Sequence, residues 1–200
     1  MMLNVGILVF NGVGLLDFAG PYEVFTVTSK LNDKQFFNTF TISRDGKEIQ
    51  TVDGLKIVPD YSFENHPSVD ILIIPGGEGA KVEMNELQIL QWIRRNYEQS
   101  QVTASVCSGA LILGKIGLLD DLESITHHED IDELQEIAPQ TTINRQNRFV
   151  SYGKVMTSAG SSAGIDLALY IVKKFCGAEI GNKTIVYLEY GQWQNIAVGN

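Results

Sequence analysis

The sequence predicts an α/β domain with a doubly wound, mostly parallel sheet and helices on both faces. Three observations predict it. Apolar runs at residues 5–10, 69–74 and 101–106 read as buried strands. The run at 69–74 shows no alternation, as in a parallel sheet covered on both faces. Helical patterns stand between these strands, and strand–helix alternation is the signature of crossover units.

The elements are expected in the following order. Residues 5–10 form a strand that ends at Asn11-Gly12, a turn signal. Residues 16–30 form a helix with Asp17 in its first turn and Pro21 as an early interruption. Residues 37–43 alternate as a second strand. Residues 49–52 and 55–58 flank Asp53-Gly54, a two-residue hairpin signal. The strand at 69–74 stops at Pro75-Gly76-Gly77. Leu87, Leu90, Ile93 and Tyr97 then share one helical stripe. The strand at 101–106 enters Cys107, and an apolar helix over 108–119 follows. A hairpin is expected over 149–157, turning at Tyr152-Gly153-Lys154. Residues 165–176 form a last apolar helix with Gly177 as its C-cap. No repeat or linker divides the chain, so residues 1–200 are expected to form one domain.

Composition narrows the function classes. Lys and Arg number 15 against 24 Asp and Glu, a net charge of −9, whereas nucleic acid and anionic membranes need a basic face. Neither is expected as a partner. No stretch reaches the ~18 apolar residues of a membrane span. The apolar N-terminus lacks a positive region before Lys30, so a cytoplasmic protein with two free thiols is expected.

Ligands of open parallel sheets sit beyond the carboxyl ends of the strands. Three such ends are unusual here: residues 10–23, 75–79 and 105–110. Ser105-Val106-Cys107-Ser108-Gly109-Ala110 resembles a nucleophile elbow, a tight strand-to-helix turn with Cys107 at its apex. Small residues at 105 and 109 suit the close approach of the two backbones. A thiol at a helix N-terminus is favoured as thiolate. The Gly77 and Ser108 N–H groups are candidates for an oxyanion pocket. Asp17 and Glu23 are carboxylates on the first segment, and from spacing alone each reads as a helix cap or a solvated charge. Of the three histidines, His127 and His128 follow Cys107, and at most one of two adjacent strand residues faces a site. Too few ligands converge for a metal, and no cofactor is implied. Gly160-Ser161-Ser162-Ala163-Gly164 matches the serine-hydrolase pattern, but no histidine follows it in the chain. Close packing of the next helix is the better reading.

Several segments together resemble the ThiJ/PfpI family. They are Gly6-Ile7-Leu8-Val9-Phe10, the stretch from Leu16-Asp17-Phe18-Ala19-Gly20-Pro21 to Phe25, and Ile74-Pro75-Gly76-Gly77. The elbow, Thr126-His127, Thr157-Ser158-Ala159-Gly160 and Ser162-Ala163-Gly164-Ile165-Asp166 complete the set. The resemblance implies a flavodoxin-like, class I glutamine amidotransferase-like fold, a homodimer, a small-molecule substrate and a nucleophilic cysteine. The Asp17 stretch is similar to the isonitrile hydratase branch. There the cysteine attacks the isonitrile carbon, and the aspartate matching Asp17 assists water addition to give an N-substituted formamide. Ser108 stands where that branch usually has Thr. The protease branch has His after the cysteine, and true glutaminases have a late His-x-Glu; both features are missing here. A non-enzymatic thiol sensor is one alternative. A glyoxalase- or deglycase-like activity leaning on Glu23 and His127 is another.

Overall fold

The structure, a computed structural model, describes residues 2–32 and 36–191. In chain order the elements are β1 (Leu3–Leu8), α1 (Leu15–Leu31), β2 (Phe37–Ser43), β3 (Ile49–Gln50), β4 (Lys56–Ile57) and β5 (Tyr61–Ser62). Then come β6 (Ile71–Ile74), α2 (Glu78–Glu83), α3 (Leu87–Gln99), β7 (Val102–Val106), α4 (Gly109–Lys115) and β8 (Glu123–Ser124). A 3-10 turn at His128–Asp130 leads into α5 (Ile131–Ile137), followed by β9 (Thr142–Ile143), β10 (Phe149–Tyr152), β11 (Val155–Ser158), α6 (Ala163–Cys176) and α7 (Ala178–Tyr187).

Seven strands form the central sheet in the order β10-β11-β7-β6-β1-β2-β5. Every neighbouring pair in it is parallel except the β10–β11 hairpin at one edge. From β1 the chain moves through α1 to β2 on one side, then returns to β6 on the other. Right-handed crossovers in opposite directions put α1 and α3 on opposite faces of the sheet. The expected mostly parallel, doubly wound architecture is therefore what the chain adopts. β6 explains its unalternating sequence, since Ile71 to Ile74 are all at most 1% exposed. Each such side chain contributes about 1.5–3 kcal/mol of burial.

Pro21 lies inside α1 rather than interrupting it. Its ring removes only the donor that would have met the Asp17 carbonyl. Gly20 brings α1 close to α6, where a β-carbon would stand 2.9 Å from Ile165 Cγ1. The apolar helix after Cys107 ends at Lys115, earlier than the pattern suggested, and Gly117 turns at φ 72°. Gly177 caps α6 with φ 90° and donates its N–H to the Lys173 carbonyl. The short elements β5, α2, α5, β8 and β9, together with α7, carry too little periodicity for the sequence alone to have announced them.

Candidate active site

The strand order brings β7, β6 and β1 side by side. The segments after them therefore converge at the point where the winding reverses, the usual ligand crevice of such sheets.

Cys107 has φ 57°, a left-handed conformation that a non-glycine residue holds only when its surroundings impose it. The restraints are identifiable. Its N–H is shared between the Ser158 and Ala159 carbonyls, each at 3.2 Å, and its own carbonyl accepts the Thr126 hydroxyl at 3.0 Å. Gly109 is needed for a reason different from the one expected. A β-carbon there would overlap the Ile74 carbonyl of the neighbouring strand, rather than Ser105. The Ser108 hydroxyl lies 3.7 Å from the Cys107 sulfur.

Asp17 is 1% exposed in the first turn of α1. Its Oδ2 accepts the Gly76 N–H at 3.2 Å, and its Oδ1 is buried without a hydrogen-bond partner among the described residues. Burial raises the Asp17 pKa above 3.8. The Ser161 hydroxyl, the Cys107 thiol, the Gly76 N–H and the charge of His127 pull it down less strongly.

The thiol is under opposing influences. Cys107 is 8% exposed, and burial first, then the Asp17 charge, push its pKa up to about 11. The Ser108 hydroxyl and N–H oppose this without reversing it. Desolvation of a charged sulfur thus works against the pull of the short helix end towards thiolate.

The backbone around the sulfur is dominated by Gly76. A β-carbon there would stand 2.5 Å from the Ser108 nitrogen and 3.0 Å from both Asp17 Oδ2 and Cys107 Cβ. Gly77, the expected oxyanion residue, has φ 101° and packs its α-carbon against residues 12–14. Neither its N–H nor that of Ser108 donates to a backbone carbonyl among the described residues.

His127 reaches the same crevice, since a β-carbon on Gly160 would come within 2.5 Å of its Cδ2. Its Nδ1 accepts the Glu129 N–H at 3.4 Å, and the turn behind it is held by a Lys81–Asp130 ion pair of 2.7 Å. His128 is exposed beside it. Glu23 is not brought to the sulfur. It lies about 600° further round α1 than Asp17, is exposed, and lines an outer apolar groove with Leu16, Ile165 and Tyr190. Ser162, the central serine of the hydrolase-like pattern, is exposed and its hydroxyl accepts from Arg148 at 3.1 Å. Gly164 explains the small residues of that segment, because a β-carbon would press on Val106 Cγ1 at 2.8 Å. Gly76 and Ser161 are the site residues that spacing did not reveal. The only available signals were the doubled glycine after β6 and the serine beside Gly160. Among the described residues no three His, Cys, Asp or Glu side chains converge as metal ligands, and no helix is long and apolar enough to cross a membrane.

A doubly wound sheet with a cysteine on a strained turn, backed by a buried carboxyl, defines an elbow-cysteine α/β protein. Residues 4–174 match the DJ-1/PfpI family, and the chain belongs to it. Over 190 residues it is 33% identical to the isonitrile hydratase of Pseudomonas putida, covering 95% of this chain and 79% of that protein. It is 26% identical to the HTH-type transcriptional regulator GbdR of Pseudomonas aeruginosa, covering 88% of this chain but only 48% of the regulator. A crystal structure of a ThiJ/PfpI family protein from Pseudomonas syringae superposes with a TM-score of 0.87 at 24% identity, covering 100% of this chain and 80% of that one.

Proposed function

We propose that the protein is a cysteine-dependent hydratase of small isonitriles, with Cys107 as nucleophile and Asp17 as the group that moves protons. The observation that carries this reading is the buried Asp17 carboxyl beside a buried thiol whose pKa its charge helps to raise. Such a pair passes one proton between its members with little change in net charge. Sulfur bonds to the terminal isonitrile carbon while the thiol proton moves through Asp17 to that carbon, giving a thioimidate, R–N=CH–S–Cys107. Water then adds across the C=N bond, its oxygen to carbon and one proton, through Asp17, to nitrogen. Cleavage of the C–S bond returns the thiol and releases R–NH–CHO, with no oxidant or reductant consumed. The Ser108 and Gly77 N–H groups stabilise negative charge as it develops. His127 contributes at a distance through its charge on Asp17.

The similarity to an isonitrile hydratase supports the same substrate class. The alternatives find less support. A redox sensor works best with a thiolate at neutral pH, and burial and the Asp17 charge both disfavour the Cys107 thiolate. A glyoxalase-like reaction leaning on Glu23 lacks that carboxyl at the sulfur. We further infer a homodimer in a reducing compartment such as the cytoplasm, since the mechanism needs Cys107 unoxidised. The test is incubation of the purified protein with a small alkyl isonitrile, followed by chromatography for the formamide. Formamide made by the wild type and lost in Cys107→Ala is the expected result. No product from the wild type refutes the reading.

A further inference from the structure

We infer that the Lys81–Asp130 ion pair is the outer anchor of the Cys107 elbow, with Lys81 a positioning residue that holds segment 126–130 against the strained cysteine. The effect on turnover rests on the hydratase reading, whereas the effect on the sulfur rests on contacts alone.

Segment 126–130 bears on the elbow at two points. The buried Thr126 hydroxyl donates to the Cys107 carbonyl at 3.0 Å. The His127 ring packs against Gly160, and the neighbouring Ala159 carbonyl accepts the Cys107 N–H at 3.2 Å. Both peptide units flanking Cys107 are thereby held, as a non-glycine residue at φ 57° requires. The segment enters on a firm footing, because the Ile125 N–H donates to the Thr157 hydroxyl of β11 at 2.9 Å. Its exit is held by charge. The Asp130 N–H donates to the His127 carbonyl at 3.0 Å and closes a single turn. The Asp130 side chain, only 7% exposed, then meets Lys81 Nζ at 2.7 Å. Lys81 is its one ion-pair partner among the described residues and also reaches Glu133 at 2.7 Å.

Lys81 extends from a rigid base. In α2 the Gly79 N–H donates to the Gly12 carbonyl at 2.9 Å, and Ala80 is fully buried. The same helix packs on α4, which begins at Gly109 just past the elbow. One ammonium thus joins the wall that starts at Gly77 to the turn that carries His127. A carboxylate as buried as Asp130 is costly once its partner is removed. Loss of Lys81 should therefore loosen this turn, and with it the hold on Cys107, before the rest of the fold gives way.

Lys81→Met and Lys81→Arg test this beside the wild type. Alkylation by iodoacetamide at pH 8 is followed on the Cys107 and Cys176 peptides by mass spectrometry, and hydration of a small alkyl isonitrile is measured at steady state. In Lys81→Met the Cys107 peptide should be alkylated about 3- to 10-fold faster, as local opening uncovers the sulfur, with Cys176 unchanged. In the same variant kcat should fall about 3- to 10-fold with KM changed less than about twofold. Lys81→Arg keeps the charge and can bridge both carboxylates, so it should stay within about twofold of the wild type in both readouts. If Lys81→Met folds poorly, Lys81→Met/Asp130→Asn leaves no buried charge unpaired and should show the same rise at Cys107. Unchanged Cys107 alkylation overturns the inference. So does a parallel rise at Cys176, which marks loosening of the whole fold, and so does a wild-type kcat in Lys81→Met. Absence of isonitrile turnover in the wild type refutes the hydratase reading, while a rise confined to Cys107 in that case still upholds the anchor.

Discussion

Asp17 Oδ2 accepts the Gly76 N–H at 3.2 Å, and this one contact ties the first turn of α1 to the end of β6 beside the elbow. The carboxyl that makes it is costly to ionise. Folding raises the Asp17 pKa, so the folded chain binds its proton more tightly than the unfolded chain does. That contribution to stability is fully present below 3.8 and is lost as the pH rises through the raised value. At neutral pH the ionised side chain therefore opposes folding. Asp17→Asn keeps an acceptor for Gly76 and removes the charge. It should raise the melting temperature at pH 7 by about 2–4 °C, roughly 1 kcal/mol for a chain of this size, while abolishing hydration. Thermal unfolding at pH 7 and at pH 4 checks this, and the gain should shrink at the lower pH.

The same charge acts on the sulfur. With its pKa at about 11, the Cys107 thiol should be alkylated slowly at neutral pH. The rate should climb about tenfold per pH unit until the thiol itself titrates. Asp17→Asn should speed alkylation at pH 8 by about three- to tenfold, since the second cause of the raised pKa is then removed. A variant with faster thiol chemistry and no turnover separates nucleophilicity from proton transfer. An alkylation rate unchanged by Asp17→Asn would show that the carboxylate does not govern the thiol.

Gly76 has no room for a side chain. A β-carbon would sit 2.5 Å from the Ser108 nitrogen and 3.0 Å from Asp17 Oδ2, against atoms of the site on both sides. Gly76→Ala is expected to lower hydration at least about 100-fold, by displacing the Ser108 donor and the Asp17 anchor together. It should also destabilise the fold by about 1–3 kcal/mol, as overpacking does. Urea denaturation and steady-state rates measured on the same preparation separate the two effects. Gly153→Ala is the control for a substitution without crowding, because a β-carbon there meets nothing within 4 Å; at φ 57° it carries a backbone strain that Gly76→Ala does not.

The parts of this site that the sequence displayed are those coded by local pattern. The apolar runs ending in Pro75-Gly76-Gly77 and Cys107-Ser108-Gly109 announced β6, β7 and the turns that follow them. Nothing in the spacing of Asp17 distinguished it from a solvated cap, and its similarity to the hydratase branch was the only pointer. Ser161 was hidden for a different reason. Its partner is far away in the chain on α1, and the serine-hydrolase pattern around it draws attention to Ser162, which faces outward. Of the influences on the thiol, only the helix terminus that favours thiolate is visible in sequence, whereas the burial that pushes its pKa up is set by long-range packing. Even α7 escaped notice, though it packs on α1 and α6, since it is a ten-residue helix that follows Gly177 without a break.

Glu23 and His127 separate the hydratase reading from the glyoxalase-like one. Glu23 is exposed on the outer groove, and its charge is screened from the sulfur by water and by the width of α1. Glu23→Gln should leave isonitrile hydration within about twofold of the wild type, since surface substitutions of this kind cost little. His127 acts on Asp17 through charge alone, and it is the weakest of the influences that lower the Asp17 pKa. His127→Gln should therefore cost only about three- to tenfold in kcat/KM. It should also shift the Asp17-dependent limb of the pH profile upward, because an influence that lowers the Asp17 pKa has been removed. Loss of activity in Glu23→Gln comparable to that in Asp17→Asn would overturn the assignment of the proton-transfer role. Turnover of methylglyoxal that depends on Glu23 and not on Asp17 would move the protein to the glyoxalase-like class.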